Sequence, residues 1–157
     1  MRRILSSGLV VFAGMVSVPL AVSPHQTPVH PSIDYRQDPR FRSLNRFFSQ
    51  DCPARALAHV FLEAADDYAL DWRLLPSLSW VESTGGKQAR GNNMFGWDSG
   101  RAEFSSLSAG IHQVGYRLAN SGLYRDKDLD GILATYNPST DYVRRVKSVM
   151  RRISPSE

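Results

Sequence analysis

The chain has 157 residues, enough for one compact domain after a leader and a tail are set aside. Its formal net charge is +4, and removal of Arg2 and Arg3 with a leader lowers it by two, so charge alone identifies no class of partner. The single Cys52 excludes an internal disulfide, and the four His residues lack the spacing to Cys that indicates zinc, so the sequence predicts neither a metal nor a cofactor.

Residues 1–23 have the pattern of an export signal. Arg2 and Arg3 precede an apolar segment at residues 4–22, and Ala21-Val22-Ser23 offers the small residues that a signal peptidase prefers. Because Pro24 directly follows that site and hinders cleavage, the segment is expected to be either a cleaved signal peptide or an N-terminal membrane anchor. The sequence therefore predicts export to the periplasm or cell envelope, in membrane-anchored or secreted form.

Residues 24–50 are predicted to form a flexible Pro-rich linker that holds the next domain, residues 51–154, away from the membrane. His25 and His30 lie in this linker, where solvated residues are expected and metal ligands are not. The end of the linker is expected to dock onto the domain as a short helical segment, through Phe41, Leu44, Phe47 and Phe48.

The domain has the apolar period of α-helices and no run of strands with turn signals, which predicts a mainly α fold. Asp51 is the expected cap of the first helix, whose apolar face consists of Leu57, Phe61, Ala64, Ala65 and Tyr68. Asp71 is the expected cap of the second helix, which has Pro76 in its first turn or at its start. Trp72 and Trp80 are expected in the core.

Three more helices are predicted after residues 85–104, a polar, Gly-containing segment expected to form a loop or a short hairpin. Ser106 should cap the first of them, whose apolar face consists of Leu107, Ile111, Val114 and Leu118. A shorter helix runs into Tyr136, and Thr140 should cap the last helix, with Val143, Val146, Met150 and Ile153 pointing inward. Its basic outer side is interpreted as a solvated face that favours anionic envelope polymers, not nucleic acid.

Glu82 is the candidate proton donor. It ends an apolar helical run, in which Leu78, Trp80 and Val81 surround it with apolar surface. Desolvation and the negative end of the helix dipole disfavour the ionised form, so the sequence predicts a raised pKa for Glu82, as a general acid near neutral pH requires. The alternative is a solvated Glu that closes an ordinary amphipathic helix before a Gly C-cap.

The segment from Asn92 to Gly100 combines two side-chain amides, two aromatic rings and two glycines. Amides hydrogen-bond sugar hydroxyl and N-acetyl groups, aromatic faces stack on pyranose rings, and Gly lets the backbone come close to a ligand. We therefore expect this segment to form the lip of a sugar-binding cleft, with Trp97 as the platform for the sugar.

Three motifs occur in one order along residues 53–153. Glu82-Ser83-Thr84-Gly85-Gly86 comes first, Asn92-Asn93-Met94-Phe95-Gly96-Trp97 follows, and Thr135-Tyr136-Asn137-Pro138 with Tyr142 ends the set. This order resembles the lysozyme superfamily, and most of all its bacterial glucosaminidase branch, the mannosyl-glycoprotein endo-β-N-acetylglucosaminidase-like domains. In that branch Glu-Ser-Gly-Gly and Asn-Asn-x-Phe-Gly recur. Thr84 departs from the usual Gly, and the late Tyr-Asn is also similar to the motif of the related lytic transglycosylases.

The resemblance implies a lysozyme-like helical fold with a small irregular or hairpin lip, and cleavage of peptidoglycan strands of the β-N-acetylglucosaminidase type. Glu82 would protonate the glycosidic oxygen as the bond to the anomeric carbon breaks. The substrate is peptidoglycan or another glycan that contains N-acetylglucosamine. The residues expected to contact it are Ser83, Asn93, Phe95, Gly96, Trp97, Asn137 and Tyr142.

The second catalytic group stays open. Of the acidic residues in the lip, Asp98 and Glu103, the second is preferred because it stands between Ala102 and Phe104 and can turn inward. Inverting and retaining hydrolases separate their two carboxyls by about 6.5–9.5 Å and about 5–5.5 Å, a distance that sequence does not give. Without a second carboxylate, the substrate's N-acetyl group or its 6-hydroxyl can attack, and Tyr136 would then orient the acetamido group.

Several of these roles have structural alternatives. Tyr136 can be a buried Tyr with a bonded hydroxyl, Asn137 can shape a turn, and Tyr142 can pack beneath the cleft. For the whole chain, the alternatives are a lytic transglycosylase that leaves 1,6-anhydro ends, a non-catalytic glycan-binding module of the envelope, and a structural accessory domain. A monomer is expected in each case.

Overall fold

Seven α-helices provide nearly all the regular structure of residues 33–155, the part of the chain that this computed structural model describes. A 3₁₀ turn at Tyr35–Gln37 precedes them. The helices are α1 (Pro39–Phe47), α2 (Pro53–Ala56), α3 (Ala58–Asp67), α4 (Leu74–Ser83), α5 (Leu107–Asn120), α6 (Leu129–Tyr136) and α7 (Thr140–Ile153). The predicted mainly α fold is confirmed. The segment between α4 and α5 is built of turns, with an isolated bridge between Arg90 and Asn93.

The folded unit begins earlier than the sequence predicted. Helix α1 starts with Pro39 after Asp38, whose side chain accepts a hydrogen bond from the Arg40 backbone N–H. Leu44 and Phe48 are fully buried, so the predicted docking of this segment is confirmed. The predicted boundary at residue 51 is therefore too late, because residues 33–50 pack as part of the domain. The predicted leader, residues 1–23, and the first part of the predicted linker, residues 24–32, lie outside the described residues.

Arg40 fastens this N-terminal segment to the rest of the domain. Its guanidinium bonds Asp38 at 2.7 Å and Asp66 of α3 at 2.7 Å, and the Tyr35 hydroxyl donates to Asp66 at 3.0 Å. Hydrogen bonds from Arg40 lower the pKa of both carboxyls, and burial, together with the bond to Asp66, raises the pKa of Tyr35 to about 12. We call these four side chains the Arg40 cluster.

Helix α4 is buried along most of its length. It packs against α7 and α3, while α3 also packs against α5, and α1 bridges α3 and α7. Leu74, Leu75 and Leu78 of α4 are buried, as are Ile111, Val114 and Leu118 of α5 and Val146, Met150 and Ile153 of α7. The apolar faces predicted for α5 and α7 are therefore confirmed. Trp72 and Trp80 are half-buried and pack against this core.

Helix starts were predicted with mixed success. Ser106 caps α5 as expected, because its hydroxyl accepts a hydrogen bond from the Ala109 N–H at 3.0 Å. The three other predicted caps are wrong. Asp51 bonds Lys87 instead, Asp71 bonds Arg73, and Thr140 is the first helical residue of α7 and not its cap. Each of these two aspartates finds a cationic partner that satisfies its carboxylate. Pro76 lies in the first turn of α4, one of the two predicted positions.

The basic outer side of α7 is partly neutralised by the protein itself. Arg144 forms an ion pair with Asp141 at 2.6 Å, and Lys147 pairs with Asp130 of α6. The Arg145 guanidinium lies 5.9 Å from the ring centroid of Tyr142. Within residues 33–155, no helix combines the length and the apolar character that crossing a membrane requires.

Candidate active site

Glu82 lies at the C-terminal end of α4, where the helix stops abruptly. Thr84, and not a glycine, takes the left-handed C-cap conformation with φ of 55°. The Glu82 side chain is half-buried, and its Oε1 accepts a hydrogen bond from the Tyr142 hydroxyl at 2.7 Å. Its Oε2 faces Gly96, where an added Cβ would lie only 2.7 Å from that oxygen. The carboxyl group is therefore held between a phenol of α7 and a glycine of the loop.

Ser83 serves to anchor the loop and does not face a ligand. It is 3% exposed, and its hydroxyl donates to the Met94 carbonyl at 2.7 Å and accepts from the Gly86 N–H at 3.0 Å. The predicted contact between Ser83 and substrate stays a prediction, and the bonding capacity of this buried side chain is used inside the protein. These bonds fix the loop against the end of α4 and so position Gly96 beside Glu82.

Asn93 is the organising residue of the loop. Its amide nitrogen donates to the carbonyls of Trp97 at 2.9 Å and Ala102 at 3.0 Å, and its Oδ1 accepts from the Trp97 N–H at 2.9 Å. Asn93 is 5% exposed, and its amide holds the loop together. The side chain of Phe95 is completely buried in the core. The substrate contacts predicted for these two residues stay predictions.

Three aromatic rings run from the loop to Glu82. The ring centroids of Trp97 and Tyr136 are 5.7 Å apart in an edge-to-face arrangement, and Tyr136 stacks on Tyr142 at 5.9 Å. The Tyr136 hydroxyl donates to the Phe95 carbonyl. Burial raises the pKa of both tyrosines, and the nearby Glu82 raises it further. Both phenols therefore stay protonated at neutral pH, and Tyr142 remains a hydrogen-bond donor to Glu82.

A pocket of about 310 Å³ opens beside this row of rings. Gly96 borders both the pocket and the Glu82 carboxyl, so the two are neighbours. Trp97 and Tyr136, both half-buried, line this pocket. The complete lining is Gly96, Trp97, Asp98, Ser99, Arg117, Tyr124 and Tyr136.

Arg117 and Tyr124 were missed by sequence reasoning. Arg117 lies in the last turn of α5 on its exposed side, and Tyr124 follows the end of that helix with its ring 6.1 Å from Trp97. Neither residue belongs to a motif, and it is the end of α5 and the turn after it that bring both to the pocket. Their only signal in sequence is the placement of an Arg and a Tyr on either side of the Asn120-Ser121-Gly122 helix stop.

The remaining predicted residues have specific positions. Glu103 is exposed and lies against Gly91, so the prediction that its side chain turns inward is wrong. Asp98 borders the pocket, but its carboxylate pairs with Arg101 at 2.7 Å. Asn137 accepts a hydrogen bond from the Ser139 N–H at 3.0 Å and thus has the turn-shaping role of the two roles left open.

The site holds one half-buried carboxyl group, one phenol that donates to it, and an adjacent pocket with an indole wall. Within residues 33–155, no three His, Cys, Asp or Glu side chains come together as ligands for a metal ion. Comparisons with models of known families, with curated proteins and with solved structures found no match to this chain.

Proposed function

We propose that this protein cleaves the glycan strands of peptidoglycan, with Glu82 as the general acid. The observation that carries the proposal is the position of the Glu82 carboxyl, which lies between the Tyr142 hydroxyl and Gly96 at the edge of the aromatic pocket. A carboxyl group held in this way beside a binding pocket has the geometry that proton transfer to a bound ligand requires. The motif order that resembles the bacterial glucosaminidases supplies the substrate class.

The two carboxyl oxygens of Glu82 have different roles in this mechanism. Oε1 accepts the hydrogen bond of Tyr142 and is thereby held in place. Oε2 faces Gly96 and carries the proton that passes to the glycosidic oxygen as the bond to the anomeric carbon breaks. Because Gly96 has no side chain, the substrate oxygen can approach Oε2 closely. Trp97 offers its ring as the platform for an adjacent sugar.

The surroundings of Glu82 favour a mechanism with one enzyme carboxylate. Glu103 is exposed and lies against Gly91, and Asp98, which lines the pocket, pairs with Arg101. In such a mechanism the substrate attacks its own anomeric carbon, either with the N-acetyl oxygen, after which water releases a reducing end, or with the 6-hydroxyl. The second route makes the protein a lytic transglycosylase. The positions of Glu103 and Asp98 support this route as well, because it too needs only one enzyme carboxylate.

The test is digestion of purified peptidoglycan by the full chain, with products identified by mass spectrometry. We expect the wild type to release fragments and Glu82→Gln, which keeps the shape of the side chain, to lose at least about 100-fold in turnover. Glu63→Gln, at an exposed acid of α3, is the matched control and should turn over normally. Glu103→Gln separates the mechanisms, because full activity supports a single carboxylate and loss of activity restores Glu103 as the second.

The products decide between the candidate activities. Reducing N-acetylglucosamine ends identify a glucosaminidase, and 1,6-anhydro-muramic ends identify a lytic transglycosylase. If wild type releases no fragments while both proteins still sediment with the wall, the chain is a glycan-binding module and Glu82 a ligand contact. If neither protein binds the wall, the chain is a structural domain and the proposal is wrong.

A further inference from the structure

We propose that Arg117 binds a carboxylate of the glycan and makes the pocket selective for acidic strands over neutral ones. This inference rests on the proposed function, because it takes the pocket beside Glu82 to be the glycan site. It adds the chemical class of the ligand: a sugar chain that carries carboxylates close to the ring held at Trp97.

The position of the Arg117 guanidinium is the first observation. It lies 5.8 Å from the ring centroid of Trp97 and lines the pocket. Contact with an indole ring holds a guanidinium at a defined place and leaves its N–H groups free to bind. Arg117 therefore presents a fixed planar donor at the pocket wall.

The absence of a protein counterion is the second observation. Within residues 33–155, the Arg117 side chain forms no ion pair and no hydrogen bond that would occupy its donors. Arg101, the other arginine near the pocket, differs because it is bound to Asp98 through Nη2 at 2.7 Å and also donates to the Asp98 carbonyl at 3.2 Å. Arg117 alone of the two is left for a ligand.

The charge of the pocket follows from these pairings. Its lining contains two charged residues, Asp98 and Arg117. Since the Asp98 carboxylate is neutralised by Arg101, the charge that remains unbalanced is the positive charge of Arg117. A pocket with one unbalanced guanidinium and an indole wall fits a ligand that combines a sugar face with an anionic group, and a carboxylate matches the planar fork of the guanidinium in a bidentate bond.

Peptidoglycan offers such carboxylates from two sources. Strands that keep their peptides carry peptide carboxylates, whereas strands stripped by an amidase carry the lactyl carboxylate of muramic acid itself. Chitin oligosaccharides have the same N-acetylglucosamine rings and no carboxylate. These three ligands therefore separate recognition of charge from recognition of the sugar, and separate the two sources of charge.

The experiment measures dissociation constants of the three ligands for the full chain in the Glu82→Gln background, which keeps the strands intact. We expect Arg117→Gln to weaken binding of acidic strands about tenfold at low salt, and binding of chitin oligosaccharides less than about twofold. Added salt should weaken the binding of acidic strands to the chain that keeps Arg117, because the contact is between charges. The difference in dissociation constant from Arg117→Gln should therefore become smaller. Arg117→Lys keeps the charge and loses the planar fork of the guanidinium. Its dissociation constant for acidic strands should lie between those of the chain with Arg117 and of Arg117→Gln.

Arg36→Gln is the matched control, since it removes one exposed positive charge that does not line the pocket. It should leave all three constants unchanged, and melting curves should show each variant folded. A loss confined to peptide-bearing strands assigns the carboxylate to the peptide, and a loss confined to stripped strands assigns it to the lactyl group.

Two outcomes overturn the inference while leaving the proposed cleavage intact. Equal weakening of acidic and neutral ligands would mean that Arg117 only packs on Trp97, and no weakening would mean that it contacts no ligand. Conversely, Arg117-dependent binding by a chain that releases no wall fragments would support the inference and overturn the cleavage. A chain that binds none of the three ligands overturns both.

Discussion

The loop between α4 and α5 has two halves that each contain one aromatic residue and that differ in burial. In the inner half, Asn93, Met94 and Phe95 are buried, and their polar groups hold the loop together. In the outer half, Gly96 to Gly100, Trp97 is half-buried, the next three residues are exposed, and four of the five line the pocket. An aromatic ring suits sugar binding in either half, and so does the amide of Asn93 in the inner half. The comparison teaches that these residue types identify a ligand site only after the direction of each side chain is known.

The largest expected effect contrasts the two aromatic residues of the loop. Phe95→Ala removes a fully buried ring and should lower the free energy of unfolding by about 3–5 kcal/mol. Trp97→Ala removes a half-exposed ring and should cost only about 1–2 kcal/mol, while it weakens glycan binding. Urea unfolding and wall-binding assays check both. A Trp97 variant as unstable as the Phe95 variant would remove the distinction between the halves.

The next effect concerns the two adjacent amides. Asn93→Ala leaves the Trp97 N–H and two carbonyls without their partner and should cost about 2–3 kcal/mol. Asn92→Gly is the matched control, because Asn92 is exposed, donates once to the Phe104 carbonyl, and has a φ of 57° that Gly tolerates. It should cost about 1 kcal/mol or less. Amide hydrogen exchange at Trp97 should accelerate in the first variant only.

These contrasts also show how much the sequence could predict. The helices followed from apolar residues at a spacing of three and four, which α5 and α7 confirm, and from the Ser106 cap. Composition marked the loop but could not say that Asn93 and Phe95 turn inward, since the same residues suit either direction. The bond from Tyr142 to Glu82 and the arrival of Arg117 depend on how helices pack, and no local pattern encodes that packing.

Gly96 lies at the border of the two halves. Its substitution should change both the free energy of unfolding and the turnover of the proposed reaction. Gly96→Ala and Gly100→Ala both place a side chain at positive φ, 59° and 80°, and should each cost about 1–2 kcal/mol. Only at Gly96 does the new Cβ approach Glu82, 2.7 Å from Oε2, whereas at Gly100 nothing lies within 4 Å. We therefore expect kcat on peptidoglycan strands to fall about 100-fold for Gly96→Ala and little for Gly100→Ala. Equal kcat values in the two variants would show that the close approach of residue 96 to Glu82 has no effect on turnover.

The smallest effect tests whether pH acts on stability far from the loop. Arg40 lowers the pKa of Asp38 and Asp66 below the ordinary value of 3.8, so the charged forms stabilise the fold above that pH, and this stability is lost as pH falls through the lowered values. Because these groups are partly exposed, the contribution should stay below about 1 kcal/mol. Melting temperatures between pH 2 and 6 should fall less steeply in Arg40→Met than in wild type.

The alkaline side of the same cluster gives the opposite sign. The pKa of Tyr35 is raised to about 12, so its contribution is complete below its ordinary value of 10 and is lost as pH rises from there toward 12. Tyr35→Phe should reduce the loss of stability above about pH 10 without changing the loss of stability at acid pH. If Arg40→Met and Tyr35→Phe both keep the acid and the alkaline losses of stability seen in wild type, the pH dependence arises outside the Arg40 cluster.

The bond between Tyr142 and Glu82 joins residues 60 positions apart, and this separation has a consequence for synthesis. A ribosome that has completed α5 has already delivered Glu82, Gly96 and Trp97, yet neither Tyr136 nor Tyr142 exists. Until the last two helices are made, Glu82 lacks its hydrogen bond from Tyr142, and the pocket lacks the wall that Tyr136 forms. A nascent or prematurely terminated chain carries Glu82 but not the assembled pocket, so the order of translation delays completion of the candidate site.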